Sequence, residues 1–193
     1  MSAQLIPLFP LGICAFEYED IRLHIFEERY KFLINECVEN NMVFGIPVTK
    51  NKTLLPIGSA LVVSEITKRY PGGEMDIVCR VQFTFDLEEF IPETNGKPYA
   101  SGWIKKRNYT GNEDNELNLR IHDLLSELYE LSEAPKIAPY DKNFSMMPYI
   151  HKAALDIDGE IEMFHLASFQ HRQLYFINHL KNMIKTLTEL QKM

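Results

Sequence analysis

His24, Glu27 and Arg29 are the side chains best suited to chemistry, an imidazole, a carboxylate and a guanidinium close together in Leu23-His24-Ile25-Phe26-Glu27-Glu28-Arg29-Tyr30. A three-residue offset would let Glu27 orient His24 as a general base. No nucleophile is implied beside them, and polar side chains at a strand-to-helix junction serve equally to satisfy the backbone and one another. We read the group as junctional and expect no catalytic residue here. Ser126, Ser132, Asp141 and Ser145 likewise have no spacing that a hydrolytic mechanism requires.

Phosphate and metal chemistry lack their usual elements too. A P-loop needs Gly-x-x-x-x-Gly-Lys followed by Ser or Thr, so that backbone amides cradle phosphates and the lysine reaches them. The sequence contains none, and Gly96-Lys97 runs into Pro98, which reads as a turn. The six histidines are dispersed, with His171 and His179 two helical turns apart, too far along one helix to share an ion. Cys-x-x-Cys and His-Glu-x-x-His are absent. Neither a metal nor a cofactor is expected.

Composition narrows the partners. The formal net charge of -7 disfavours a nucleic-acid backbone or an acidic lipid surface, both of which call for clustered Lys and Arg. With 193 residues, 46% of them hydrophobic, the chain can bury a sizeable core. Cys14, Cys37 and Cys79 lie far apart among apolar neighbours and are odd in number, which suits buried thiols in the reducing cytoplasm. Residues 5–16 are apolar, but Pro7, Pro10 and Gly12 interrupt them and no basic segment precedes them, so they read as strand and not as an export signal. No run approaches the ~18 consecutive apolar residues of a membrane span.

The elements fall into two parts. Residues 1–110 read as strands with one inserted helix. Met75, Ile77, Cys79, Val81, Phe83 and Phe85 alternate with more polar residues and predict a strand with one apolar face. A β-branched run over 58–66 precedes it, and Tyr70-Pro71-Gly72-Gly73 supplies the hairpin turn. Further strands are expected at 13–16, 23–25, 44–48 and 99–105. Tyr30, Leu33, Ile34 and Cys37 predict a helix over 27–39 that stops at Asn40-Asn41. Many short strands with Gly and Pro turns suggest a small, partly closed antiparallel β-barrel.

Residues 111–193 change to helical period. Leu117, Ile121, Leu124, Leu125, Leu128 and Leu131 form one stripe. A shorter helix is expected over 144–155, a brief one capped by Asp156 or Asp158 through His165, and a final one opened by Ser168 with Leu174, Ile177, Leu180, Ile184 and Leu187 inward. Residues 110–115 read as an exposed linker. The fold class is thus α+β, a barrel-like part followed by a C-terminal helical bundle.

Among the aromatics, Tyr99, Phe90 and Trp103 are assigned mostly to packing. Tyr18 and Tyr70 stand beside turn or charged residues, and exposed rings of this kind can hold another chain. They are the candidate peptide contacts.

Ile6-Pro7-Leu8-Phe9-Pro10-Leu11, Leu23 to Tyr30, Phe44-Gly45-Ile46 and Ile57-Gly58 occur in an order that resembles the N-terminal substrate-binding domain of Lon-type ATP-dependent proteases. Departures are Phe16-Glu17-Tyr18 in place of Phe-Pro-Gly, Glu28 in place of a proline, and Arg80-Val81-Gln82-Phe83, which matches only loosely. The resemblance implies a PUA-like barrel and a helical bundle, in a stand-alone version without motor or Ser-Lys protease domain. It implies a non-enzymatic module whose partners are unfolded or damaged polypeptides or a separate protease. Its motif residues are expected to be fold determinants. The alternative is a nucleic-acid-binding accessory module acting through the barrel, which the absence of a Lys/Arg stripe disfavours.

Overall fold

The computed structural model describes residues 3–92 and 96–192. The chain divides into two compact units, Met1–Arg107 and Asn108–Met193.

The first unit contains β1 (Gln4–Leu8), β2 (Asp20–Ile25), α1 (Glu28–Asn40), β3 (Phe44–Lys50), β4 (Thr53–Arg69), β5 (Met75–Ile91) and β6 (Ala100–Lys106). They form one six-stranded sheet in the order β2-β5-β4-β3-β1-β6, and β6 pairs again with β5. The early part of β5 pairs with β2 through Met75 to Arg80, the later part with β6 through Phe85 to Ile91, and β4 lies along its other side. Register shifts in the β4–β5 pairing bend these long strands, as bulges do. One pairing departs from the antiparallel expectation: β1 runs parallel to β3.

The main core joins the sheet to α1. Tyr30, Leu33, Ile34 and Cys37, at helical spacing, bury against Phe44, Ile46, Leu61, Ile77, Cys79 and Val81. Asn41 ends the helix in the left-handed region, its amide donating to the Cys37 carbonyl. The expected single apolar face of β5 is divided: Met75 to Val81 line this core, whereas Phe85 joins Ile6, Leu8, Ala60 and Ile104 in a second cluster with Phe83 half-buried beside it. The register shift between Ala60 and Leu61 breaks the period there.

The strand expected at 13–16 does not form. Cys14, Ala15 and Phe16 are buried in irregular backbone whose polar groups find side-chain partners. Ser59 Oγ donates to the Ala15 carbonyl, and the Phe16 amide donates to the Glu19 carboxylate at 2.7 Å. Thr84 Oγ1 donates to Glu17 at 2.9 Å, which ties the segment to β5.

The second unit contains α2 (Asn115–Leu131), α3 (Ile157–His165) and α4 (Phe169–Leu190), with 3-10 turns at Met147–Tyr149 and His151–Ala153. Helix α2 buries Ile121, Leu124, Leu125 and Leu128, while α4 buries Phe176, Ile177, Leu180 and Ile184. Leu174 is exposed, contrary to expectation; Arg172 and Gln173 begin the inward stripe instead. The helix expected over 144–155 is replaced by the two turns, with Ala154 in the left-handed region ending the second. Asp156 caps α3 through the Gly159 amide. Residues 110–115 are largely exposed but anchored, since the Thr110 amide donates to the Ala167 carbonyl at 2.8 Å.

Asp114 opens α2 by accepting from the amides of Glu116 and Leu117 at 2.9 and 3.0 Å. Asp114→Ala leaves both donors without that partner and is expected to lower unfolding stability by about 1 kcal/mol, read from urea denaturation followed by circular dichroism.

Candidate functional site

β2 and the β4–β5 hairpin bring together the polar residues of the first unit. Antiparallel register sets His24 directly opposite Asp76, and His24 Nδ1 lies 2.6 Å from Asp76 Oδ1. The second carboxylate oxygen accepts from Tyr70 Oη at 2.8 Å. Glu27, beyond the end of β2, pairs instead with Arg29 at 2.8 Å. The His24–Glu27 interaction admitted by sequence spacing therefore gives way to a cross-strand pair set by register. Arg29 in turn lies over the Tyr30 ring, which stacks on Phe9.

The hydrogen bond with His24, then the one from Tyr70, holds the Asp76 carboxyl below its ordinary value of 3.8. A carboxyl lowered by folding contributes stability above its unfolded value, and the contribution is lost as pH falls through the folded one. Stability is thus expected to fall more steeply below about pH 4 in the wild type than in Asp76→Asn, as measured by urea midpoints across an acid series.

An aromatic surface surrounds this pair. The Phe26 ring centroid is 6.0 Å from that of His24, and Tyr70 meets His24 edge-on at 5.7 Å. Lys68 Nζ stands 4.3 Å from the Tyr70 centroid. Phe26 is 62% exposed, whereas Tyr70 is half-buried. The hairpin turn is fastened to α1: Lys31, itself buried, donates to the Gly72 carbonyl at 2.9 Å and to Glu28 at 2.8 Å. His24 stands on β2, Phe26 follows its end, and Tyr70 begins the anchored turn and is tied to Asp76, so the rings are held at element ends, which favours recognition by lowering the ordering cost of binding.

Tyr18 is 74% exposed, in a turn where its φ is 69°. It precedes β2, whereas Phe26 follows it. The six residues of β2 span about 20 Å, so the two candidate tyrosines lie towards opposite ends of this strand and do not form one contact point.

Two aromatics passed over in sequence, Phe26 and Phe32, are more exposed than Phe90 and Trp103, while Tyr99 is buried. Strand alternation carried one residue past buried Ile25 would have turned Phe26 outward. Phe32 lies off the Tyr30/Leu33/Ile34/Cys37 stripe, with Lys97 Nζ 5.5 Å from its centroid. Lys97 and then Tyr99 Oη donate to the Glu36 carboxylate, which holds that carboxyl below its usual range.

The potential nucleophiles are otherwise engaged. Cys14, Cys37 and Cys79 are buried and free of disulfides; burial pushes the Cys37 and Cys79 thiols up to about 12, away from the reactive thiolate. Ser126 and Ser132 donate to the helical carbonyls of His122 and Leu128, Ser145 donates to Glu113, and Asp141 accepts from the Asn143 amide. His171 is exposed, whereas His179 Nε2 lies 2.8 Å from the Ala153 carbonyl oxygen. Among the described residues no three His, Cys, Asp or Glu side chains converge as a metal site, and no helix is long and apolar enough to cross a membrane.

No protein-family model and no curated protein matches the sequence. Solved structures do match. A Lon N-terminal domain protein from Xanthomonas campestris aligns with a TM-score of 0.65 at 15% identity, covering 88% of this chain and 94% of that one. The chain has the Lon N-terminal domain fold. The N-terminal domain of Mycobacterium avium complex Lon protease aligns with a TM-score of 0.54 at 11% identity, covering 96% and 97% of the two chains.

Within the Lon N-terminal fold, most residues of the opening motifs are structural. Ile6 and Leu8 fill the second cluster, and Phe44 and Ile46 the first. His24, Phe26, Glu28 and Arg29, within Leu23 to Tyr30, face solvent.

Proposed function

We propose that this chain is a non-enzymatic protein-recognition module of the cytoplasm, which holds unfolded or damaged polypeptides or links them to a separate protease. The carrying observation is the fixed Phe26–His24–Tyr70 surface, with exposed apolar area beside charged groups. Such surfaces bind other chains by removing apolar area from water, with a polar rim giving orientation. Likeness in fold to Lon N-terminal domains supports this reading. Residues 1–110 act as a PUA-like, partly closed barrel presenting the surface, and 111–193 as a helical bundle. Tyr70 is a peptide contact within this surface, and Tyr18 is one at its periphery.

The test uses one protein in two states. The purified chain should retain a carboxymethylated, permanently unfolded test protein in a pull-down and pass over its native form. Equal retention of both forms, or of neither, contradicts the proposal.

A further inference from the structure

The geometry points to the outer edge of β2 as a docking strand for an extended, antiparallel polypeptide segment of alternating apolar and polar residues. This deepens the recognition reading and rests on it. β2 stands at the end of the strand order and pairs only with β5 among the described residues. The Val81 amide donates to the Glu19 carbonyl at 3.0 Å, which sets the phase of the β2–β5 ladder. In antiparallel pairing the groups facing the partner alternate along the strand. Ile21, Leu23 and Ile25 therefore bond to β5, while Asp20, Arg22 and His24 direct their backbone N–H and C=O groups away from it. These three residues are also the exposed ones of the strand.

An incoming extended backbone satisfies that row, as in β-strand addition. Its side chains opposite Asp20, Arg22 and His24 lie on the exposed face and should be polar. Those opposite Ile21 and Leu23 cover residues that are only half-buried at the margin of the main core, and should be apolar. Asp20 is already paired with Arg80, and His24 with Asp76, leaving Arg22 facing uncharged Val78 and suited to an acidic or hydroxyl side chain. Tyr18 and Phe26 flank the ends of the strand, where a longer peptide would meet them.

A second copy of this chain fits the edge poorly. The two in-phase two-fold pairings of greatest overlap set Arg22 against its own image, when centred on Arg22, or against the His24 imidazole of the second copy, when centred on Leu23, and neither offers the acidic or hydroxyl side chain that suits it. The occupant is consequently a segment of another polypeptide.

The experiment follows fluorescence anisotropy of a labelled octapeptide of alternating valine and threonine, titrated with the full chain. Threonines take the exposed face, so their amides point at β2. N-methylation of the threonine amides should weaken binding at least about tenfold, whereas N-methylation of the valine amides should leave it nearly unchanged. Arg22→Pro, which removes one outward N–H without touching the β5 ladder, should weaken binding by about as much while keeping the native circular dichroism spectrum. If that variant fails to fold, the methylated peptides on wild-type protein still decide. Equal binding of both methylated forms overturns the inference, as does a wild-type dimer that Arg22→Pro dissociates. Failure of the unmethylated peptide while unfolded protein still binds overturns the edge and spares the recognition reading; failure of both overturns both.

Discussion

Gly58→Ala is expected to destabilise the first unit by about 3 kcal/mol, the upper end of ordinary overpacking penalties. Gly58 lies in β4 opposite Pro47 of β3. A Cβ built there would stand 2.6 Å from the Ile46 carbonyl oxygen, 2.7 Å from Pro47 Cα and 2.6 Å from Phe85 Cζ. Two of these atoms are backbone, and the third belongs to a fully buried ring. Relief therefore requires β3 and β4 to separate or Phe85 to leave its rotamer, and both disturb the second cluster. Gly111→Ala makes a useful comparison, because nothing lies within 4 Å of its added methyl and only the φ of 74° opposes it. Its cost should be about 1 kcal/mol. Urea denaturation of the two variants measures the difference; equal stabilities would contradict the close approach of β3 to β4 at Gly58.

Phe26→Ala should produce the largest change in recognition, lowering affinity for the unfolded test protein about tenfold with little change in stability. The ring is largely exposed and contributes little to the core, so truncation leaves no cavity. Its worth is realised only when a partner covers it, through apolar area removed from water beside the fixed His24 and Tyr70 rings. Leu33→Ala is the converse, since Leu33 is completely buried between α1 and the sheet. It should impair stability first and binding only through unfolding. Isothermal titration calorimetry with parallel thermal melts separates the two effects. Unchanged affinity in Phe26→Ala would remove that surface from the recognition site.

The sequence made the core of the first unit legible because its strongest signals were periodic. Tyr30, Leu33, Ile34 and Cys37 marked one side of α1, and Met75, Ile77, Cys79 and Val81 one face of β5. The signals failed where tertiary contacts replaced local period. Residues 13–16 are as apolar as a strand, but Ser59 holds Ala15, the neighbouring Glu19 holds Phe16, and Thr84 holds Glu17 beside them. Leu174 is apolar yet exposed, because Arg172 and Gln173 make buried contacts that composition assigns to the surface.

At the candidate site the outcome divides in the same way. Turn and charge context placed Tyr18 and Tyr70 towards the surface, and the structure leaves one exposed and the other half-buried. The pairing of His24 with Asp76 was invisible because it spans 52 positions and depends on the β2–β5 register. Phe26 was obscured by the motif containing it, whose apolar letters suggest core while strand alternation turns this ring outward.

Hydrogen exchange with mass spectrometry, on the full chain with and without saturating carboxymethylated test protein, tests the central claim most directly. A bound polypeptide should slow exchange over residues 18–26 and 68–76, with the strongest protection at the outward amides of Arg22 and His24, and leave α2 and α4 unchanged. Protection confined to residues 108–192, or none at a ligand concentration that saturates binding, would contradict the assignment of polypeptide recognition to this surface.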